Sequence, residues 1–288
     1  NEVKPKKNET LNVLSLFSGC GGMDLGFEGG FSVLKSSVNE ILTPNFIDKK
    51  SSNGFVQLKK TKFKTVFAND ILNDARNAWV NYFLKKGRDA ELFHTQSIVD
   101  LVKLHQSGID VFPKNIDVVT GGFPCQDFSI AGKRNGFNSH KNHNGKIIDE
   151  VTPTEETRGQ LYMWMKQVIE ITKPKIFIAE NVKGLVNLEN VKEIIQKDFS
   201  SAGENGYIVL NPRVLHSANY GVPQSRERVI FIGIKKSELT KSALAELEKE
   251  TISDKYNPYP KPTHSYTAKG ENLKKFVELN ELFSLLEE

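Results

Sequence analysis

Asn12-Val13-Leu14-Ser15-Leu16-Phe17-Ser18-Gly19-Cys20-Gly21-Gly22 is the stretch on which the fold turns. Its first six residues read as a buried strand, and they run without a spacer into a turn holding three glycines. Glycines at the end of a strand allow a tight turn and let a nucleotide-like ligand approach the backbone closely. The spacing is not the dinucleotide fingerprint. Counting from Gly19-x-Gly21, the sixth position is Asp24, where that motif needs Gly or Ala. A nicotinamide-dependent oxidoreductase is therefore disfavoured.

Outward from this turn, apolar runs alternate with helical patterns. Lys64–Ala68 reads as a second strand, and Ala75, Ala78, Trp79, Tyr82 and Phe83 form a helical stripe within Asp74–Lys86. Ile98, Leu101 and Val102 suggest a short helix, and Ile116–Thr120 a strand ending in Gly121-Gly122. Leu161, Trp164, Met165, Val168 and Ile169 fall at i, i+3, i+4, i+7 and i+8, one face of a helix that Pro174 ends. Lys175–Glu180 reads as a strand, Val191, Ile194, Ile195 and Phe199 as a helix, and Tyr207–Leu210 and Val229–Ile234 as late strands. Strand alternating with helix implies parallel strands and crossover helices, hence an α/β, doubly wound, mostly parallel sheet. Ligands of such sheets sit beyond the carboxyl ends of the strands, where the strand order reverses. Gly19–Gly22, Asp70, Pro124–Gln126 and Glu180–Val182 all fall at such ends.

The 288 residues suit one large domain or two small ones. Hydrophobic residues at 38% and charged residues at 26% exclude a wholly disordered or fibrous chain. A net charge of +4 and an isoelectric point of about 8.8 favour a nucleic-acid partner only slightly. Two cysteines, Cys20 and Cys125, form no disulfide framework and point to a reducing compartment. The chain has no apolar run of about 18 residues, and its polar first ten residues lack a signal-peptide core. A cytoplasmic protein with no membrane partner is the expectation.

Residues 1–10 read as a polar tail, 11–264 as one α/β domain and 265–288 as a C-terminal tail. Two stretches break the rhythm and read as inserted loops: 36–63, with Lys49, Lys50, Lys59, Lys60 and Lys62, and 133–157. Leu239, Ala243 and Leu247 suggest a surface helix, Pro258, Pro260 and Pro262 an extended linker. Leu273, Phe276, Val277, Asn280, Phe283 and Leu286 give a last helical stripe.

Four motifs carry chemistry. Asp70, ending the second strand, suits a ribose hydroxyl, and equally a helix cap near Asn73 and Asp74. Gly121-Gly122-Phe123-Pro124-Cys125-Gln126 puts a thiol on a loop stiffened by Pro124, where exposure favours a nucleophile. Glu180, following the apolar KIFIA, would be partly desolvated, which raises a carboxyl pKa toward neutrality and lets it hold or donate a proton. In Gln224-Ser225-Arg226-Glu227-Arg228, alternating arginines share one face and can hold a phosphate or a base carbonyl, or simply form surface ion pairs.

Five blocks in this order resemble the DNA cytosine-5 methyltransferase family of bacterial type: Phe17–Gly22, Gly122–Ser129 (GFPCQDFS), Arg158–Leu161, Glu180–Leu185, and Asn219–Gln224 running into Arg228. The resemblance covers Leu11 to His264. It implies S-adenosylmethionine as cofactor and S-adenosylhomocysteine as product. The cofactor would lie over Ser18, Gly19, Cys20, Gly21 and Gly22, with Phe17 against the adenine and Asp70 on the ribose. Ile71, Ser97, Ile98, Pro124 and Leu161 would line the pocket. Cys125 would attack C6 of a cytosine, and Glu180 would contact N3 and the exocyclic amine. Arg228 and Arg226 would steady the ring carbonyl and a phosphate, and Asn181 would shape the loop. Gln126, Ser129, Lys133, Arg134 and Gln224 would meet double-stranded DNA. A stacked base exposes neither ring face to a thiol, so the cytosine would be flipped out. No metal is implied, since His140 and His143 lack companion ligands.

The sequence departs from the family in three places. The gap from Gly22 to Asp70 is long. Ser97 stands where the family often carries an acid toward the adenine amine. After Pro262-Thr263-His264 no target-recognition domain or closing motif follows. The resemblance then implies a partner polypeptide carrying that domain, or a chain cut from a longer enzyme. A tRNA cytosine-5 methyltransferase of similar fold is the alternative.

Overall fold

The computed structural model describes residues 9–50, 53–124, 161–187, 190–204, 206–270 and 272–285. In chain order the elements are β1 (Leu11–Leu16), α1 (Gly22–Glu28), β2 (Ser32–Leu34), β3 (Ile47–Lys50), β4 (Phe55–Leu58), β5 (Phe63–Asn69), α2 (Asn73–Leu84), β6 (Phe93–His94), α3 (Ile98–Gln106) and β7 (Val118–Gly121). Then come α4 (Leu161–Thr172), β8 (Ile176–Val182), α5 (Val191–Ser200), β9 (Tyr207–Val209), β10 (Arg213–His216), β11 (Glu227–Lys235), α6 (Lys241–Leu247), β12 (His264–Ser265), β13 (Lys274–Lys275) and α7 (Leu279–Phe283). The chain divides into two compact units. The first is Asn1–Asp24, Lys62–Arg213 and Val229–Asn257; the second is Leu25–Thr61, Val214–Arg228 and Pro258–Glu288.

The main sheet runs β10-β11-β8-β7-β1-β5-β6, with β9 pairing antiparallel to β11. From β1 the chain steps to β5 and β6 on one side, then returns to β7 and β8 on the other. The order thus reverses between β1 and β7, as a doubly wound α/β sheet requires. Strands of such a sheet are apolar nearly throughout, and β1 shows it: Val13, Leu14, Ser15 and Leu16 are all buried. α4 buries Leu161, Trp164, Met165, Val168 and Ile169, the stripe read from sequence, and α3 buries Ile98, Val99, Leu101 and Val102. These residues share one core with Val119 and Phe177. Gly233 in β11 belongs to the same packing. A Cβ there would overlap Cε1 of Phe177, so the strand keeps a glycine where a buried ring lies against its backbone.

Register places one row of residues level across the carboxyl ends of the parallel strands. His94 pairs with Asn69, Asn69 with Leu16, Leu16 with Gly121, and Gly121 with Ala179. The residues that follow this row are Phe17, Asp70, Gly122 and Glu180. Strands stand about 4.8 Å apart, so the three steps from β5 to β8 span roughly 14 Å.

The second unit corrects two sequence expectations. The 36–63 segment is not a plain loop: β3 and β4 build a three-stranded antiparallel sheet with β2, in the order β2-β4-β3, around buried Leu34, Val38 and Val56. Its alternation is hidden in the sequence by the neighbouring lysines. The 265–288 segment is likewise more than a tail. Where a helical stripe suggested one helix, Lys274–Lys275 pairs with β12, and helix forms only over α7. Asn272 at φ 65 turns the chain before that strand. α6 matches its sequence reading and is capped by the Thr240 hydroxyl, which accepts from the Ala243 N–H at 3.2 Å.

Candidate active site

The glycine turn after β1 is held from below by serines. The Ser18 hydroxyl lies 2.9 Å from that of Ser15 and accepts from the Asn69 N–H at 3.1 Å. The Ser18 N–H donates to the Asn69 carbonyl at 2.8 Å, and the Gly21 N–H to the Ser18 carbonyl at 2.9 Å. Phe17 enters the turn at φ 52, a left-handed conformation that costs a non-glycine residue about 1 kcal/mol or more. The glycines differ in what they do. A Cβ on Gly19 or Gly22 would meet nothing within 4 Å, so open space lies over the turn. A Cβ on Gly21, at φ 87, would stand 2.6 Å from Trp79 Cδ1 and 2.7 Å from Phe83 Cε2. Gly21 therefore seats the turn on α2.

Asp24 explains the missing dinucleotide glycine. It is fully buried, and its carboxylate accepts from the Trp79 indole N–H at 2.7 Å. A glycine there would break this link between α1 and α2. No local sequence signal marks the pair, which lies 55 residues apart.

Asp70 ties the second strand end to the turn. Its Oδ2 accepts from the Gly19 N–H at 3.0 Å and its Oδ1 from the Leu72 N–H at 3.0 Å. A carboxylate oxygen has two acceptor sites, so both oxygens keep capacity for a diol. The helix-cap reading of Asp70 is not met, because α2 is N-capped at Leu72 without a side-chain bond, while the acceptor sites left on Asp70 are compatible with a ribose partner. Beside it, Asn69, missed in the sequence, donates through Nδ2 to the carbonyls of His94 at 3.0 Å and Gln96 at 2.8 Å. The His94 ring stacks on Phe67 with centroids 4.3 Å apart, and burial lowers its pKa from 6.5. Ser97 caps α3, its hydroxyl accepting from the Val99 N–H at 3.3 Å. Ile98 is 2% exposed within the core, and Ile71 is half-buried. Cys20 is exposed and free.

Two strands away, Glu180 and Asn181 meet the loop after β7. A Cβ on Gly122 would stand 3.1 Å from Glu180 Oε2, so the carboxylate lies against bare backbone. Asn181 is 1% exposed; its Nδ2 donates to the Phe123 carbonyl at 3.2 Å and its Oδ1 accepts from the Val182 N–H at 2.8 Å. Phe123 packs into the core beside Tyr162, whose hydroxyl donates to Asp198 at 2.7 Å. Burial, reinforced by that carboxylate, pushes the Tyr162 pKa well up. Leu161 is buried at the start of α4 and Pro124 is half-buried. Cys125, Gln126, Ser129, Lys133 and Arg134 lie outside the described residues.

In the second unit, Arg226 immediately precedes β11 and Arg228 is the second residue of that strand. The Ser217 N–H donates to the Arg226 carbonyl at 2.9 Å, and the Arg226 N–H to the Ser217 hydroxyl at 3.2 Å. Arg228 Nη1 donates to the Glu227 carbonyl at 2.8 Å. Gln224 is exposed.

The sequence profile of the C-5 cytosine-specific DNA methylase family matches residues 11–285. The chain belongs to that family. This methylase-family chain is 33% identical over 262 residues to the type II methyltransferase M.BsuRI of Bacillus subtilis, covering 90% of this chain and 48% of that protein. It is 32% identical over 285 residues to M.BspRI of Lysinibacillus sphaericus, covering 98% and 54%. It therefore spans about half the length of these curated relatives. Among solved structures, a DNMT2 of Spodoptera frugiperda superposes with a TM-score of 0.49 at 18% identity, over 92% of this chain and 61% of that one.

The family implies S-adenosylmethionine, and the residues present fit it. The space over Gly19 and Gly22 admits a ligand against the backbone, and Asp70 beside it offers acceptors for ribose hydroxyls. Among the described residues no group of His, Cys, Asp and Glu could hold a metal ion. Nor is any helix among them long and apolar enough to cross a membrane.

Proposed function

We propose that this chain methylates C5 of cytosine in double-stranded DNA, as the modification arm of a restriction–modification system. The observation that carries the reading is the level row of strand ends. It sets the glycine turn and Asp70 on one side of the order reversal, and Gly122 with Glu180 on the other. A span of roughly 14 Å accommodates a nucleoside-bearing donor next to a single base.

Phe17, Gly19–Gly22 and Asp70 would hold S-adenosylmethionine. Bound there, it would supply an electrophilic methyl group and leave as S-adenosylhomocysteine. The remaining chemistry belongs to the chain. Cys125 attacks C6 of a flipped-out cytosine as thiolate, and the C5–C6 π electrons move toward C5 and the ring carbonyl. Glu180 hydrogen-bonds at N3 and the exocyclic amine, which limits the charge built on the ring. Asn181, through the Phe123 carbonyl, holds the backbone two residues before Cys125. Arg226 and Arg228 neutralise the ring carbonyl and a neighbouring phosphate. After methylation a base removes the C5 proton, those electrons re-form the double bond, and the Cys125 thiolate leaves C6. Gln126, Ser129, Lys133, Arg134 and Gln224 contact the duplex.

DNA containing 5-fluorocytosine tests this directly, because fluorine cannot leave as a cation and the enzyme stays attached. The expected result is a covalent adduct that needs both Cys125 and S-adenosylmethionine. Full methyl transfer by Cys125→Ser overturns the mechanism, and transfer to tRNA in preference to DNA overturns the substrate.

A further inference from the structure

Within the second unit, two buried polar side chains that the mechanism does not use hold the loop leading to the arginine pair. Asn39, in the 36–63 segment, is 1% exposed and uses all of its hydrogen-bonding capacity. Its Nδ2 donates to the carbonyls of Thr263 at 2.9 Å and Asn272 at 2.6 Å. Its Oδ1 accepts from the N–H groups of Ile41 at 3.2 Å and Leu42 at 3.3 Å. Thr263 passes the restraint on, its N–H donating to the Asn219 carbonyl at 2.8 Å.

His264 is fully buried beside it. Its Nε2 lies 2.9 Å from the Ser36 carbonyl, which can only accept, so Nε2 carries the proton. Nδ1 then accepts from the Thr263 hydroxyl at 2.9 Å. Gly221 closes the turn that begins at Ser217, at φ 82. A Cβ on it would overlap the Ser37 carbonyl oxygen and stand 2.8 Å from His264 Cε1. The turn is therefore seated on backbone from 36–37 and on the His264 ring. Its other end, Ser217, holds Arg226 by both backbone and hydroxyl.

We propose that Asn39 and His264 are positioning residues for Arg226 and Arg228, setting the pose in which that pair meets DNA. The inference rests on the reading above, in which the two arginines contact the substrate. It also gives the 36–63 segment a role, because the first residues of that segment form the floor of the arginine loop. A residue that acts only through others loses its effect when those others are removed.

The test is a mutant cycle on the full chain, read as affinity for a fluorescein-labelled duplex carrying unmethylated cytosine in every dinucleotide context. Asn39→Ala is expected to weaken duplex binding about tenfold in the natural background, and less than about twofold when Arg226 and Arg228 are both alanine. S-adenosylmethionine binding by calorimetry is expected to stay within about twofold in both. Equal losses in the two backgrounds, or no loss in the first, overturn the inference while leaving the methyltransferase reading intact. A natural chain that binds S-adenosylmethionine but no duplex overturns both. If Asn39→Ala does not fold, His264→Gln runs the same cycle. Its amide can keep one donor on Ser36, so a smaller but equally non-additive loss is expected, and additivity there is equally fatal.

Discussion

Glu180 rests its carboxylate on Gly122, with Oε2 only 3.1 Å from where a Cβ would be. The contact joins the end of β8 to the loop that leads to Cys125. Gly122→Ala must displace that carboxylate by a few tenths of an ångström while leaving the glycine turn of β1 untouched. We expect methyl transfer to fall about tenfold or more, as small misplacements of reacting groups do. S-adenosylmethionine affinity should stay unchanged. Calorimetry beside a tritium-transfer assay separates the two, and an equal loss in both would refute the assignment.

Asp70 predicts the opposite split. Asp70→Ala removes the acceptor for the Gly19 and Leu72 N–H groups and frees the turn as well as the ribose site. Hydrogen bonds to a charged acceptor are worth about 1.5–3 kcal/mol. Cofactor affinity should therefore drop by about tenfold or more, measured by calorimetry, with duplex binding little changed.

Gly21 and Gly19 separate steric from conformational need. Both have positive φ, but only Gly21 faces buried rings. Gly19→Ala should cost about 1 kcal/mol of stability through backbone strain alone. Gly21→Ala adds overpacking against Trp79 and Phe83, and should cost about 3 kcal/mol in urea unfolding. Equal costs would show that Gly21 does not seat the turn on α2.

Acid should destabilise the first unit through His94. Burial lowers its pKa below 6.5 in the folded chain, so the unfolded chain binds the proton more readily. Its contribution is complete above the unfolded value and is lost as pH falls from there through the lower folded value. The thermal midpoint should decline as pH falls below about 6.5, and His94→Gln should decline less over the same range. His264 shifts in the same direction for the same principal cause, so some slope remains in that variant.

The sequence shows the parts of the site that depend on strand ends, because apolar runs and glycines are local signals. β1, β5, β7 and β8 and the turns after them lie where NVLSLF, KTVFA, IDVVT and KIFIAE suggest. What stays hidden is the long-range polar wiring. Asp24 with Trp79 and Asn39 with Thr263 lie 55 and 224 residues apart, and no periodicity marks a hydrogen bond across such distances. Ser97 stands where the resemblance expects an acid toward the adenine amine, and its hydroxyl caps α3, a role its position just before a helical stripe already allows. The 36–63 segment reads as a loop because its alternating Phe55-Val56-Gln57-Leu58 is bracketed by lysines that suggest a solvated surface.

The level row of His94, Asn69, Leu16, Gly121 and Ala179 governs how such a chain can change length over evolutionary time. Residues added between α1 and β5 leave every member of the row where it was, and this chain carries such an excursion. One residue added inside Val118–Gly121 would instead advance Gly122 by about 3.3 Å and invert the faces beyond it. Insertions and deletions should therefore accumulate in the excursions and be purged from the strands, which makes the spacing inside each strand a stricter heritable record than the spacing between them.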